Sequence, residues 1–425
     1  MKVLQAVLVN GRSLSTAKLV LPELLEEPRQ RSLAMELVNG VLRWRFRLES
    51  LLAKCLGKPL RKKDVDVQLV LLLAFYELTE LNTPEYAVVN EAVAQAGQIR
   101  KQWAAAMINA VLRGFIRDRD ALLKSVDGDA VARLSHPQWL IDLIRQDWPD
   151  QAEQILEANN QRPPMWLRIN LARVPMADYL NLLDAEGLSA VPHPHAAAAL
   201  RLASAVDVSR LPGFNDGLVS VQDAAAQLAA PLLDVKLGER VLDLCAAPGG
   251  KTCHILEMTP NIDMTAVELK AERMQRVRQN LERLGLKARV VVGDATDVSG
   301  WWDRKPFDRI LVDAPCSASG VIRRHPDIKS LRQPDDLDSL TEIQRQILLQ
   351  AWRMLRPGGV LLYVTCSVFK RENQRQIETL LSTTEAAEES VADVDWGLAC
   401  SHGRQLLPGE SEGDGFYFAR LKKHV

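Results

Sequence analysis

Arg309-Ile310-Leu311-Val312-Asp313-Ala314-Pro315-Cys316-Ser317 and, further on, Val360-Leu361-Leu362-Tyr363-Val364-Thr365-Cys366-Ser367 each carry a short apolar run into a cysteine. Apolar runs of this length, bounded by turn residues, read as strands buried on both faces. In open α/β sheets ligands bind at the carboxyl ends of the strands, so both thiols are expected at the edge where chemistry takes place. Two cysteines there, out of six in 425 residues, require a chemical explanation.

Outward from these runs, strands and helices alternate. Strands read as Arg240 to Cys245, Met264 to Leu269, Ala288 to Gly293, Arg309 to Ala314 and Val360 to Thr365. The helix between the second and third carries Met274, Val277, Leu281 and Leu284 on one face. This pattern predicts an α/β fold, a doubly wound parallel sheet with helices on both faces. The Gly413-Asp414-Gly415 turn and the run Phe416 to Arg420 suggest a closing antiparallel hairpin. Residues 1–130 differ: Leu, Ala and Val recur at helical spacing with breaks near Gly40, Gly57 and Pro84, which reads as an all-α bundle. A polar helical stretch follows, then a small α+β unit with strands at Met165 to Asn170 and Ala199 to Leu202 around a helix from Met176. The expected division is 1–130 all-α, 131–215 helical linker and α+β connector, and 216–425 α/β.

Cys55, Cys245, Cys253, Cys316, Cys366 and Cys400 show no paired ligand spacing, so neither a zinc site nor a disulfide framework is expected. A reducing cytoplasm fits. The first residues lack a signal-peptide pattern, and the most apolar run, Leu69 to Tyr76, is less than half the length a spanning helix needs. Lys and Arg exceed Asp and Glu by four over residues 1–130 and fall short by five in the remainder. That asymmetry, with Arg43, Arg45, Arg47 and then Arg61, Lys62, Lys63, fits an anionic partner such as a phosphate backbone; solvated helix ends are an equal reading.

The strand from Arg240 runs into Cys245-Ala246-Ala247-Pro248-Gly249-Gly250-Lys251-Thr252, a small-residue turn opening a helix, which lets a ligand approach the backbone closely. Glu268, Asp294 and Asp313 end the next three strands. Glu268 stands where doubly wound folds place an acid on ribose hydroxyls, and Asp294 is placed to accept from an adenine amino group. A P-loop is the weaker reading, because position 245 is Cys rather than Gly and Pro248 removes a donor from any phosphate cradle. S-adenosylmethionine suits the loop and its carboxylates better, and gives the thiols a role: carbon 5 of a cytosine becomes nucleophilic once a thiolate adds to carbon 6.

Phe307 to Ala318, Cys245 to Thr252 and Thr365-Cys366-Ser367 together resemble the Nol/Nop/Sun family of RNA cytosine-5 methyltransferases, and the first third resembles a NusB-like RNA-binding domain. Asn159 to Asn170 and Gly320 to Asp327 extend the likeness over most of the chain. The resemblance implies S-adenosylmethionine as cofactor and a cytosine of 16S ribosomal RNA as target; no DNA or membrane partner is expected, and the chain is expected to act as a monomer, though the sequence does not supply the oligomeric state. It implies Cys366 as nucleophile and Cys316 as the group assisting release, a distinction the residues alone leave open. Asp313 would hydrogen-bond the base near N3 and Lys251 would help orient it. Cys245, Ala246, Ala247, Pro248, Gly249, Gly250, Lys251, Glu268, Asp294 and Asp313 would bind the cofactor. The family often has Asp where this chain has Glu268; either carboxylate can hold two hydroxyls. A different RNA substrate, or a non-catalytic rRNA-binding assembly factor keeping the fold, are the alternatives.

For Cys55, Cys253 and Cys400 the expectation is an inert buried side chain. Arg323, Arg324 and His325 are expected in a loop that either grips RNA or is simply solvated. Trp301 and Trp302 are expected to be structural.

Overall fold

The structure is a computed structural model that describes residues 1–384, 386–389 and 394–424. Its residues group into two units, 1–162 with 322–334, and 163–321 with 335–425.

The first unit is helical. The helix Val65–Glu80 buries Val67, Val70, Leu71, Leu72, Ala74 and Phe75, so it is apolar around most of its circumference, as a central helix must be. Pro28–Cys55, opening with proline in its first turn, packs against it at Gly40. A Cβ at that position would lie 1.9 Å from a Tyr76 ring carbon, so the two helices approach over a bare backbone. The Tyr76 hydroxyl donates to Glu36 at 2.7 Å. Glu85–Gln98 and Ala104–Arg117 complete the core with Val88, Ala92, Ile108, Leu112 and Phe115. Among the described residues no helix is long and apolar enough to cross a membrane.

Residues 322–334 belong to this unit although they lie between the two cysteine motifs. The Lys329 ammonium, 1% exposed, donates to the Arg43 and Ser135 carbonyls at 2.9 and 3.0 Å and to Asn160. Burial, with Arg43 nearby, lowers its pKa. Asp327 accepts from the Leu14 N–H at 2.8 Å, and Leu331 packs on the helical core. The solvated or RNA-gripping loop expected at 323–325 is therefore corrected for Arg323, which is 2% exposed and whose carbonyl accepts from Arg43 at 3.0 Å. The basic run upstream is likewise engaged within the unit: Arg43 is buried, Arg45 pairs with Glu49 and Arg47 with Asp127. Arg61, Lys62 and Lys63 remain exposed.

The second unit holds two sheets. The smaller is antiparallel: β1 (Trp166–Ile169), β2 (Ala190–Pro192), β3 (Ala199–Leu202) and β4 (Val219–Val221) in the order β2-β3-β1-β4. Its helix, Met176–Ala185, contributes Tyr179 and Leu183 to a core with Leu167, Ile169 and Leu200. β4 pairs Val221 with Leu167, so this sheet takes a strand from beyond residue 216, where the α/β part was expected to begin.

The larger sheet contains β5 (Arg240–Leu244), β6 (Asp263–Glu268), β7 (Arg289–Val292), β8 (Phe307–Asp313) and β9 (Leu355–Thr365), parallel and in the order β9-β8-β5-β6-β7. The strand Phe416–Lys423 runs antiparallel beside β9 and also pairs with the strand Arg404–Leu406, the closing hairpin the sequence suggests. The chain goes from β5 to one side, then returns to the other through β8. The strand order therefore reverses between β5 and β8, and the crevice at their carboxyl ends is where such a sheet takes ligands.

Candidate active site

At that crevice β5 stops at Leu244 because Cys245 takes a left-handed backbone, φ 62°. Gly249 follows at φ 95°, where a Cβ would meet the Val277 backbone at 3.2 Å; glycine is needed for both reasons. The helix Gly250–Met258 begins there. The helix Ala271–Leu284 holds the loop from outside, with Arg273 donating to the Ala247 carbonyl and Asn280 to the Pro248 carbonyl, each at 2.9 Å. From the small sheet, buried Arg168 grips Glu257 with two bonds of 2.8 and 2.9 Å and donates to the Gly250 carbonyl at 2.7 Å. A buried pair of this kind fixes geometry more than it adds stability.

Glu268 ends β6 and is 3% exposed. Its Oε1 accepts from the Lys270 N–H at 3.1 Å and from Arg273, whereas Oε2 lies 3.3 Å from the Arg273 guanidinium in an ion pair and makes no hydrogen bond among the described residues. A buried carboxylate oxygen without a hydrogen bond is costly, and ribose hydroxyls would supply one. With a turn that excludes side chains beside it, the site fits the nucleoside half of S-adenosylmethionine. Asp294 lies in an exposed turn, its Oδ1 accepting from the Thr296 N–H and hydroxyl at 2.8 and 2.7 Å. Trp301 and Trp302 donate to backbone carbonyls and pack on the core, the structural role expected. Asp243, fully buried inside β5, accepts from Thr252 at 2.5 Å through one oxygen, and the other makes no hydrogen bond among the described residues. Burial pushes its pKa up to about 7.

On the other side of the crevice, Asp313 ends β8 and accepts from the Lys251 ammonium at 2.7 Å. That ammonium also lies 5.3 Å from the centre of the Phe416 ring, a cation–π contact. Burial alone would lower the Lys251 pKa, but Asp313 and, to a smaller extent, Cys366 more than offset it and hold it raised. Cys316 and Cys366 bring their sulfurs within 3.5 Å of each other. Their surroundings differ: Cys316 is 8% exposed, while Cys366 is more open. The contact with Cys366, then burial, then Glu372 push the Cys316 pKa well above that of a free thiol.

Lys251, Asp313, Cys316 and Cys366 are thus gathered at one edge, beside the loop 245–250 and Glu268. Four groups not singled out from the sequence also belong here: Arg168, Asp243, Phe416 and Glu372. Asp243 was detectable as an acid inside an apolar strand. Arg168 and Phe416 have partners distant in the chain, and of the three residues that donate to Glu372 only Ser367 is near.

Known proteins match this arrangement. The model of the 16S rRNA methyltransferase RsmB/F family matches residues 230–422, that of its ferredoxin-like domain residues 136–209, and that of the NusB family residues 1–117. The ribosomal RNA small subunit methyltransferase B of Pseudomonas syringae pv. tomato is 46% identical over 99% of this chain and 95% of its own length. That of Vibrio cholerae is 46% identical over 97% of this chain and 94% of its own. The crystal structure of PH0851 shares the fold, with a TM-score of 0.83 at 22% identity over 99% of this chain and 98% of that one. On motifs, fold and identity alike, the chain belongs to the RsmB/F family of 16S rRNA methyltransferases.

Proposed function

We propose that this protein transfers a methyl group from S-adenosylmethionine to carbon 5 of a cytosine in 16S ribosomal RNA, through a covalent bond between Cys366 and carbon 6. The observation that carries the reading is the contact between two thiols at the carboxyl edge of β8 and β9, alongside the Lys251–Asp313 pair.

When bound, the cofactor supplies an electrophilic methyl on a sulfonium, and Cys245 to Lys251, Glu268, Asp294 and Asp313 would hold it. Cys366 is the more accessible of the two thiols, and the thiolate is the attacking form of a cysteine. That thiolate adds to carbon 6 of a cytosine turned out of its stack, and the displaced electron pair makes carbon 5 nucleophilic. Asp313 and Lys251 hold the base and steady the charge that develops on its ring. After methylation the carbon 5 proton must leave as the carbon 6–sulfur bond breaks and Cys366 departs. Cys316 suits that step by position, its sulfur lying 3.5 Å from the one that departs.

Incubation with radiolabelled S-adenosylmethionine and protein-free 16S rRNA, followed by digestion to nucleosides, tests the reading. Labelled 5-methylcytidine is expected. No label, with cofactor binding intact, would move the substrate to another RNA or an assembled particle, or the role to a non-catalytic one.

A further inference from the structure

Glu372 lies in a polar stretch, Lys370-Arg371-Glu372-Asn373, that resembles a solvated surface turn, yet it is fully buried. Its carboxylate accepts four hydrogen bonds. Oε1 takes the Ser317 N–H at 2.8 Å and the Gln344 amide at 3.0 Å; Oε2 takes the Ser317 and Ser367 hydroxyls, both at 2.5 Å. These donors are all neutral. Two of the three residues supplying them directly follow the two cysteines: Ser317 comes after Cys316 and Ser367 after Cys366. Gln344 donates as well to the carbonyl of Pro315, the residue before Cys316, at 2.9 Å. The Ser319 hydroxyl joins the Ser317 and Ser367 hydroxyls at 3.1 Å each. Glu372 is itself fixed, its carbonyl accepting from the Tyr363 hydroxyl at 2.7 Å.

A carboxylate buried without a cation is expensive unless every lone pair is met. Here the donors come from two loops at the ends of two different strands. Other bonds also join those loops, the Gly320 N–H to the Cys366 carbonyl at 2.9 Å and the Val368 N–H to the Ser319 hydroxyl at 3.0 Å; the carboxylate adds the tie that reaches the residue after each cysteine. We propose that Glu372 is a positioning residue that sets the spacing of Cys316 and Cys366 by hydrogen-bonding the residue after each. The proposal rests on the two-cysteine reaction above. Glu372 touches no reacting atom in it; it acts by holding both sulfurs where one can attack and the other can assist release. Its negative charge, close to Cys316, also favours the thiol form of that cysteine over the thiolate.

Three variants separate geometry from charge and from folding. Glu372→Ala removes the clamp. Ser367→Ala removes one strap and leaves the carboxylate three donors. In Glu372→Gln the amide oxygen still meets the Ser317 N–H and Gln344, and the serine hydroxyls can turn to accept from the amide nitrogen, so the clamp survives without the charge. The first measurement needs no RNA. Diamide oxidises two adjacent thiols to a disulfide and is reduced to the hydrazine, and peptide mapping by mass spectrometry reads the Cys316–Cys366 crosslink. The wild-type chain should form it, Glu372→Ala and Ser367→Ala at least about tenfold more slowly, and Glu372→Gln near the wild-type rate. A wild-type chain that forms none, or an unslowed Ser367→Ala, would overturn the proposal even if Glu372→Ala fails to fold.

The second measurement is turnover on 16S rRNA. Glu372→Ala should lose kcat by roughly a hundredfold and accumulate the covalent RNA adduct, with the KM for RNA and the Kd for S-adenosylmethionine within about twofold of wild type; Glu372→Gln should recover most of kcat. Parallel loss of kcat, cofactor affinity and thermal stability would reduce Glu372 to a structural residue. A wild-type protein that crosslinks as expected but makes no 5-methylcytidine would overturn the reaction while leaving the clamp in place.

Discussion

The carboxyl edge of the larger sheet has two sides with opposite habits. On the β6–β7 side a buried acceptor is left open: Glu268 Oε2 makes no hydrogen bond among the described residues, only a 3.3 Å ion pair with Arg273. On the β8–β9 side a buried carboxylate of the same type, that of Glu372, has all four of its bonds made, by the chain itself. At a ligand crevice an open buried acceptor such as Glu268 Oε2 is a place for a ligand's donor. A closed network marks a geometry to be kept while bonds form and break nearby. One side is shaped to be completed by what it binds, and the other to stay as it is.

The largest effect should come from the closed side. Cys366→Ala is expected to cost turnover on the order of 10³-fold or more, as removing a covalent nucleophile does, and to abolish denaturant-resistant RNA capture on gels. Full turnover in that variant would end its role as nucleophile. Cys316→Ala should behave differently: slower by roughly 10²- to 10⁴-fold, with the adduct accumulating rather than vanishing. If it turns over without trapping RNA, the division of labour between the thiols is wrong. On the open side, Glu268→Ala should weaken S-adenosylmethionine binding by roughly tenfold to a hundredfold, the value of one hydrogen bond to a charged acceptor. Calorimetry reads this directly, and an unchanged Kd would mean the open acceptor is not waiting for the ribose.

The smallest effect is one of pH. Burial raises the Asp243 pKa to about 7, so the folded chain keeps a proton that the unfolded chain releases above about pH 4. The stability this contributes is complete below about pH 4 and is lost as the pH rises through about 7. Asp243→Asn should flatten that decline, seen as a smaller drop in Tm between about pH 5 and about pH 8 than in the wild type. Equal slopes would show that Asp243 does not titrate there.

The parallel strands and the glycine turn were legible in the sequence because each is a local pattern: an apolar run, a cluster of small residues, an acid at a strand end. The two cysteines were legible as a pair for the same reason. The small sheet was only half legible, since β4 becomes its edge by pairing Val221 with Leu167, far back in the chain. Arg43 and Arg47 looked like part of a charged stripe because nothing local shows that their partners are the Arg323 carbonyl and Asp127, whereas the Arg45–Glu49 pair, four residues apart on one helix, was open to reading. Glu372 was hidden in the opposite way, its charged neighbours suggesting solvent where long-range hydrogen bonds enclose it. Local periodicity reports which face is apolar; it does not report which polar group will be buried against a distant partner.

The membership of residues 322–334 in the helical unit bears on how this gene can be cut. The chain crosses between the units after residues 162, 321 and 334, so after a protease nick near 162 residues 1–162 would be held only by their hydrogen bonds and packing with 322–334. A fragment beginning at Pro163 would carry Lys329 and Leu331 without the carbonyls, amide and apolar core that enclose them. Recombination that exchanged the first third for another RNA-binding module would leave the same segment stranded, so the two parts are bound to be inherited together.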